Sequence, residues 1–232
     1  MNTVNKEIEM NDRQSGAGMP SVLTRGLTRR HFVGALAGAA VLGLFPLEAF
    51  AQAAPSAAAQ KIADHFSSVK TMQGEFVQFG PRGEQTGGKF FIERPGKLRF
   101  NYDEPSPMRV IADGRNVVIG NRKLDTWDLY PLSKTPLSLL LSERIDLSAK
   151  MVRNVKEEPD LTTISLGDRS IFGDSTITMM FDPKTYELRQ WTITDAQAKD
   201  TSVMIFNVQT GVKFDESVFN VPYDAVTKKK NR

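Results

Sequence analysis

Residues 90–100, with the sequence FFIERPGKLRF, decide the fold of this chain. Apolar side chains recur at every second position before and after Arg94-Pro95-Gly96, which is a turn sequence. A period of two is that of an antiparallel strand with one buried face. The stretch therefore predicts two strands joined by a tight turn, with Phe90, Ile92 and Arg94 on one face of the first strand.

The same pattern continues through most of the chain beyond residue 70. Short alternating runs are separated by turn sequences such as Asp113-Gly114 and Asp182-Pro183-Lys184. The runs include 72–76, 98–102, 108–112, 177–181, 191–193 and 203–205. They follow one another too closely for helical crossovers, so hairpins must connect them. The sequence predicts a mainly β fold (α+β) built on one large, curled antiparallel sheet.

Two segments predict helices that cover the concave side of this sheet. From Ala57 to Val69, apolar residues recur at the spacing of one helical face. Residues 135–143, TPLSLLLSE, begin with a capping residue and a proline and are too rich in leucine for a surface segment. Runs that are apolar at successive positions, such as 90–92 and 204–206, suggest that one strand face packs on a helix while the other lines a space.

The composition excludes several kinds of site. The chain has no cysteine, so it can form neither a disulfide nor a thiolate metal site, and it cannot itself be acylated at a cysteine. Its histidines are His31 and His65, too few for a histidine-rich zinc site. The sequence holds no nucleophile-elbow, zinc-peptidase, phosphate-loop or dinucleotide motif. We therefore expect a binding protein and not an enzyme, with no metal and no cofactor.

The net charge of +3 is carried by the two ends of the chain. Residues 228–232, KKKNR, alone supply four positive charges, and the segment up to residue 51 adds a further small excess. The body between them is slightly acidic and holds no basic stripe that could neutralise a run of phosphates. Nucleic acid is therefore not an expected partner.

Residues 28–51 have the organisation of an export signal. The pair Arg29-Arg30 precedes an Ala/Gly-rich apolar run, and Ala49-Phe50-Ala51 is a small-residue cleavage pattern. The apolar run is shorter than the roughly 20 residues of a membrane-spanning helix. Residues 1–51 are predicted to be a signal peptide cleaved after Ala51. The paired arginines are typical of the twin-arginine pathway, with an ordinary Sec signal as the alternative. The remaining chain of about 181 residues is long enough for one domain.

The strand pattern places one charged residue, Arg94, on the same face as apolar residues. If the face that it shares with Phe90 and Ile92 lines the concavity, its guanidinium lies at the mouth or inside, where a charge is costly unless it is hydrogen-bonded. Its five N–H donors suit the backbone carbonyls of a covering helix or loop, and such a contact could latch that element. The alternative is that Arg94 precedes the turn and points to water, and the pattern alone favours that alternative.

Residues from about 57 to 222 resemble the periplasmic outer-membrane lipoprotein carrier family, LolA. The resemblance rests on the order and spacing of several motifs, none of which is decisive alone. They are Phe76-x-Gln78, the run Arg94-Pro95-Gly96-Lys97-Leu98-Arg99-Phe100-x-Tyr102-x-x-Pro105, Asp113-Gly114, Thr135-Pro136-x-x-Leu139-Leu140 and Phe219-x-Val221-Pro222.

The resemblance implies an unclosed β-barrel of about eleven strands, covered by helices that form a lid over an apolar cavity. It implies a periplasmic, monomeric chaperone of outer-membrane biogenesis. Its partners would be acylated lipoproteins, an inner-membrane lipoprotein-releasing transporter complex and an outer-membrane lipoprotein receptor. In the family, an arginine of the R-P-G motif hydrogen-bonds the lid and is needed to accept cargo, and Arg94 occupies that position here. The residues expected to bind lipid beside this latch are Phe90, Ile92, Leu98, Phe100, Tyr102, Leu137 and Leu140.

The chain departs from the family in two places. Residues 116–120, after the Asp113-Gly114 turn, lack the usual aromatic side chains, and only ten residues follow Pro222. Those ten, 223–232, are expected to be a basic, disordered tail behind a lipid-binding domain of residues 52–222. Two other functions stay open. One is a carrier or sensor of another lipid, such as a glycolipid carrier or an envelope-stress regulator, and the other is a hydrolase acting on lipid in the same cavity.

Overall fold

A computed structural model describes residues 55–230. The predicted export signal and its cleavage after Ala51 lie outside these residues. The strands are β1 (Thr71–Phe79), β2 (Gln85–Glu93), β3 (Lys97–Tyr102), β4 (Met108–Asp113), β5 (Asn116–Asn121), β6 (Thr126–Pro131), β7 (Val152–Glu157), β8 (Thr162–Leu166), β9 (Thr176–Phe181), β10 (Leu188–Thr194) and β11 (Asp200–Thr210). The helices are α1 (Ala57–Ser68), α2 (Leu137–Leu140), α3 (Arg169–Phe172) and α4 (Tyr223–Lys230), with short 3-10 helices at Leu132–Lys134 and Glu216–Phe219. None of the described helices is long and apolar enough to cross a membrane.

All eleven strands form one antiparallel sheet, in the order β6-β5-β4-β3-β2-β1-β11-β10-β9-β8-β7. Neighbours in the sheet are neighbours in the chain, except where β1 pairs with β11. Strands β6 and β7 form the two edges, and within the described residues they do not pair with each other. The expected unclosed antiparallel sheet of eleven strands, accompanied by few helices, is confirmed.

The turn predicted at Arg94-Pro95-Gly96 joins β2 to β3. The inner-face side chains of the two strands lie opposite each other, Phe90 facing Phe100 and Ile92 facing Leu98. Gly96 has a φ of +84°, and a Cβ at this position would lie 2.6 Å from the Cα of Gly114 in the β4–β5 turn. Both the left-handed backbone and the close approach of the second turn require glycine at residue 96.

The inner face of the sheet and one face of α1 form a single apolar core. The apolar stripe predicted for α1 is buried, and its Phe66 ring packs edge-on against Phe181 of β9 at a centroid distance of 5.4 Å. The Phe100 ring lies 4.5 Å from that of Phe76 and stacks on Trp191 at 6.1 Å, again between centroids. Fully burying one such side chain contributes about 1.5–3 kcal/mol. The cover that α1 provides is therefore a large part of what stabilises the sheet.

The outer face of β2 is also covered by other side chains. The sequence pattern had predicted that one of the two faces of residues 90–92 lines a space. The Phe91 ring packs edge-on against Phe214 at a centroid distance of 5.9 Å, and Phe214 packs on Phe219 at 5.6 Å. The chain that follows β11 thus returns across the outer face of the sheet. In residues 204–206 of β11, by contrast, the outward side chains of Met204 and Phe206 are 44% and 39% exposed.

The second predicted helix is shorter than residues 135–143. Only Leu137–Leu140 is α-helical, a single turn. The Ser142 hydroxyl lies 2.8 Å from the carbonyl oxygen of Leu139 and 2.6 Å from that of Arg144. A serine that bonds to nearby carbonyls competes with the backbone hydrogen bonds of a helix, so the helix stops here. The leucine cluster nevertheless buries both ends of the turn, as the pattern predicted.

The basic segment after Pro222 is a helix where the sequence was expected to be disordered. Helix α4 spans Tyr223–Lys230, and Val221, Ala225 and Val226 pack on an outer-face cluster. That cluster consists of Ile111, Val118 and Trp127. Packing on this cluster gives the segment an apolar contact. The lysines of the segment had instead suggested disorder.

The Tyr223 hydroxyl fixes the start of α4 to the sheet. It donates to Oδ2 of Asp113 at 2.5 Å and accepts from Nδ2 of Asn116 at 2.9 Å. Burial raises the pKa of Asp113, but hydrogen bonds from the Asn116 N–H, the Tyr223 hydroxyl and the Arg115 N–H outweigh it, so that the pKa is lowered overall. A carboxyl with a lowered pKa stabilises the fold above its ordinary pKa and loses that contribution as the pH falls.

We expect Tyr223→Phe to lower the free energy of unfolding by about 1 kcal/mol at neutral pH, since two partly exposed hydrogen bonds are lost. The difference from the parent chain should shrink in acid, once Asp113 becomes protonated, which its lowered pKa shifts below the ordinary range of an aspartate. Denaturant unfolding at the two pH values measures both effects. Tyr130→Phe is the matched control, because Tyr130 is 46% exposed and its hydroxyl makes no hydrogen bond to a described residue. Equal destabilisation by both substitutions would contradict the anchoring of α4.

Candidate functional site

Arg94 lies in the β2–β3 turn and caps the C-terminal end of α1. Its side chain is buried, with the whole residue 5% exposed. One guanidinium nitrogen, Nη2, donates to the carbonyl oxygens of Phe66, at 2.6 Å, and of Val69. The guanidinium carbon also lies 4.0 Å from the centroid of the Phe66 ring. The last carbonyls of a helix lack their usual helical partners. The Val69 N–H donates to the Phe66 carbonyl at 3.3 Å, and Arg94 adds a donor from the sheet.

The charge of Arg94 is held without a carboxylate. Among the described residues it forms no ion pair, and its Nε and Nη1 are buried without a hydrogen-bond partner. Burial lowers the pKa of Arg94 to about 10, so the guanidinium stays charged at neutral pH. The carbonyl end of α1 and the face of the Phe66 ring both attract a cation. They offset only part of the desolvation penalty, so this contact stabilises the closed arrangement by a modest amount.

The same turn holds the second covering segment through its backbone. The Gly96 N–H donates to the carbonyl of Leu141, which ends α2, at 2.8 Å. The Arg94 N–H donates to the carbonyl of Lys70, just beyond α1, also at 2.8 Å. One hairpin turn therefore bonds to the ends of both helical segments that cover the inner face.

The two covering segments are also joined to each other, and together we call α1 and residues 135–147 the lid. The Ile145 N–H donates to the hydroxyl oxygen of Ser67 at 3.2 Å. Lys70 pairs with Glu143 at 3.5 Å, although exposed pairs of this kind contribute little. The lid can be described as one unit that the turn at residues 94–96 ties to the sheet.

Five of the residues predicted to bind lipid lie on the sheet beneath the lid, and two, Leu137 and Leu140, belong to the lid itself. Each is buried, and together they belong to one apolar cluster: Phe90, Ile92, Leu98, Phe100, Tyr102, Leu137 and Leu140. The lid closes directly onto these side chains. The space that remains beside them is a cleft at the margin of α1.

The cleft has a volume of about 370 Å³ and lies between the second half of α1, the β9–β10 turn and the last residues of β11. It exists because β11 is longer than β10. The pairing of the two strands begins at Met204 opposite Gln190, so β11 continues past β10 with β1 as its one described neighbour. Phe66, Leu188 and Val208 contribute to its lining.

His65 and Tyr186 stand at the same cleft, with ring centroids 5.9 Å apart. His65 lies in α1 next to the buried Phe66. Tyr186 follows the Asp182-Pro183-Lys184 turn, and its φ of +61° is uncommon for a residue with a side chain. Nothing in the alternating pattern signals this meeting, because it depends on how far β11 extends beyond β10.

One polar pair interrupts the apolar inner face. The Tyr102 hydroxyl donates to Oε1 of Gln78 at 2.7 Å, so the Gln78 of the Phe-x-Gln motif satisfies a buried phenol. Burial raises the pKa of Tyr102, which therefore stays neutral. Within the described chain, no group of three or more histidine or acidic side chains could hold a metal ion.

The architecture and the site define the class of this protein: an unclosed antiparallel β-barrel whose inner face is covered by helical segments, with a buried arginine hydrogen-bonded to the end of one of them. The family described as outer membrane lipoprotein carrier protein LolA matches residues 67–222, and the chain belongs to this family.

Relatives in other bacteria agree with the family. The chain is 26% identical to the outer-membrane lipoprotein carrier protein of Pseudomonas aeruginosa (strain UCBPP-PA14) over 212 residues, 84% of this chain and 95% of that protein. It is 35% identical to the protein of the same name from Alkalilimnicola ehrlichii over 69 residues, 28% of this chain and 32% of that protein. A solved LolA superfamily protein from Nitrosomonas europaea is similar with a TM-score of 0.41 and 7% identity, covering 71% of this chain and 98% of that one.

We expect Arg94→Leu to leave the sheet folded and to loosen the end of α1. Amide hydrogen exchange of residues 66–70 should become roughly tenfold faster, because hydrogen bonds from a charged donor to the helix end are lost while a desolvation penalty is relieved. Hydrogen-exchange mass spectrometry measures this, with β3 as the internal reference.

Lys97→Leu is the control for the loss of one positive charge in the same hairpin. The Lys97 Nζ pairs with Glu93 at 2.7 Å and not with the end of α1. Unchanged exchange of residues 66–70 in Arg94→Leu, or an equal increase in Lys97→Leu, would rule out the role of Arg94 in holding the lid.

Proposed function

We propose that this chain is a periplasmic carrier that binds the acyl chains of lipoproteins and transfers them from the inner membrane to the outer membrane. The observation that carries the proposal is the contact of the buried Arg94 guanidinium with the carbonyls that end α1. Because this contact can be broken, the helix that covers the apolar face of the sheet can be released. Membership of the carrier family and the names of the relatives support the same reading.

The energetics require an apolar face of this size. Shielding one methylene from water is worth about 0.8 kcal/mol, so an acyl chain of about sixteen carbons is held in a membrane by on the order of 12 kcal/mol. A carrier must offer comparable apolar surface to take the chain out. The inner-face residues Phe90, Ile92, Leu98 and Phe100 supply such a surface once the lid is displaced.

A closed lid meets the opposite requirement, which is to protect that surface when no cargo is bound. The carrier then alternates between a closed state, in which α1 covers the inner face, and an open state, in which an acyl chain does so. Arg94 biases the equilibrium toward the closed state. Because two of its nitrogens are unpaired in that state, the bias is small enough for cargo to overcome.

The cleft at the margin of α1 is the entry that we assign to the acyl chain. It leads from the surface to Phe66 and Leu188, which belong to the apolar core under the lid. Widening it requires only that the end of α1 move away from β11. That end is the part of the lid that Arg94 holds.

The remaining assignments follow from the family and the sequence. Residues 1–51 serve as the export signal, cleaved after Ala51, and residues from 52 to 222 form the carrier domain. The monomer receives cargo from an inner-membrane lipoprotein-releasing transporter and delivers it to an outer-membrane receptor. It acts as a binding protein without catalysis, and Phe90, Ile92, Leu98, Phe100, Tyr102, Leu137 and Leu140 contact the acyl chains.

We expect Arg94→Leu to be folded and exported but unable to accept cargo efficiently. Lipoprotein release from spheroplasts supplied with the purified variant should fall at least about tenfold, since the variant loses the contact that couples cargo entry to the lid. Lys97→Leu should release lipoproteins as the parent chain does. Unimpaired release by Arg94→Leu would reject the assigned role. Mass spectrometry of lipids that copurify with the parent chain identifies the class of cargo.

A second prediction tests the entry cleft. We expect Val208→Glu to weaken the binding of a palmitoylated peptide several-fold, because Val208 lines the cleft and is 40% exposed, so the substitution places a charge in the path of the acyl chain. Met204→Glu is the matched control, since Met204 lies on the same strand, is similarly exposed at 44% and does not line the cleft. Fluorescence titration of the labelled peptide measures both affinities. Equal affinities for the two variants would exclude this cleft as the entry.

A further inference from the structure

Three arginines meet on the outer face of the sheet, opposite the lid, and the carrier function gives them no task. Arg99, Arg109 and Arg122 line one pocket of about 180 Å³, together with Asn101 and parts of Tyr102 and Met108. A pocket of this size accommodates a small ionic group and not an acyl chain. It is separate from the cleft at α1, with which it shares no lining residue.

The strand register brings these residues together. Asn101 of β3 lies directly opposite Arg109 of β4, and Arg99 is the next residue on the same face of β3. Arg122 follows the end of β5, where its N–H donates to the carbonyl of Pro107 at 2.9 Å. The three arginines of this pocket thus come from β3, from β4 and from the residue that follows β5.

The positive charges of this pocket are only partly compensated. Arg122 lies 3.3 Å from a carboxylate oxygen of Glu104. Arg99 donates through Nε to Oδ1 of Asn101 and through Nη1 to the carbonyl of Val218, both at 2.8 Å, and neither acceptor carries a charge. Arg109 has neither a hydrogen bond nor an ion pair to any residue that the structure describes. Burial, and then the positive charge of Arg109, lower the pKa of Arg99.

We propose that Arg99, Arg109 and Arg122 form a binding site for a phosphate group. Guanidinium groups present paired N–H donors that match two phosphate oxygens, and a bound phosphate would remove the repulsion between Arg99 and Arg109. Asn101 adds an amide at the same face. The phosphate can belong to a phospholipid headgroup or be free in solution, and the experiment below separates these sources. The site does not depend on the acyl-carrier function, because it lies on the other face of the sheet.

The test uses the purified protein with two probes at constant ionic strength. Inorganic phosphate is titrated by calorimetry, and phosphatidylglycerol vesicles are sedimented with the protein. We expect the parent chain to bind both probes and Arg109→Gln to bind each at least about fivefold more weakly, as the loss of a charge-assisted contact implies. Free phosphate should displace the parent chain from the vesicles, whereas the same ionic strength of sodium chloride should not.

Arg82→Gln is the matched control, because it removes one positive charge from an arginine whose side chain is 90% exposed in the β1–β2 turn. It should leave both affinities within about twofold of the parent chain. Binding of inorganic phosphate that is lost in Arg109→Gln, with vesicle binding unchanged, would keep the phosphate site and reject the headgroup as its source. Parent-like binding of both probes by Arg109→Gln, or no binding of either by the parent chain, would overturn the proposal.

Discussion

The end of α1 is tied to the sheet by one buried guanidinium, which lies against the last carbonyls of that helix. Arg94 donates from outside the helix to the oxygens of Phe66 and Val69 at the end of α1. Because the donor comes from a hairpin turn of the sheet, the contact ties the free end of the helix to the surface that it covers. The unpaired Nε and Nη1 make burial of the charge expensive, so the closed state is stabilised by less than its hydrogen bonds alone would contribute. Such a contact can be broken without unfolding the strands on either side of it.

Under the proposed function, the aromatic side chains of the inner face contact α1 in the closed state and an acyl chain in the open state, but never both at once. In the closed state Phe66 packs on Phe181, and Phe100 packs on Phe76 and Trp191, which fills the inner face with the protein's own side chains. On the proposed function, an acyl chain replaces α1 as the partner of the same face. Both partners are apolar, so the acyl chain keeps the sheet face out of water, and the remaining cost of the exchange is the exposure of the apolar face of α1. Specificity for an acylated cargo then rests on access, which the end of α1 controls.

The sequence predicted the fold well and the site in part. The period of two located the strands, and the helical spacing located α1, because both patterns report burial of one face. Arg94 was ambiguous, since a residue before a turn faces water as readily as it faces a helix, and the family resemblance favoured the latch. The cleft could not be predicted, because it results from the unequal lengths of β10 and β11. Helix α4 was missed because its lysines suggested disorder, while the three apolar residues that dock it are too few to form a periodic signal.

Among the described residues, the chain that follows β11 packs on the outer face of one half of the sheet and not of the other. Since β11 lies in the middle of the sheet beside β1, the chain must cross β2 and β3 on the outer face to reach the cluster around Trp127. On the way Phe214 packs on Phe91, and the Val218 carbonyl accepts from Arg99. The crossing segment and α4 therefore bind β2 to β6 together from outside. The cleft lies on the other side of β1, where β11 runs past the end of β10 and Met204 and Phe206 are exposed. Arg94 thus anchors the lid to the braced half of the sheet, and the cleft opens beside the half that carries no such brace among the described residues.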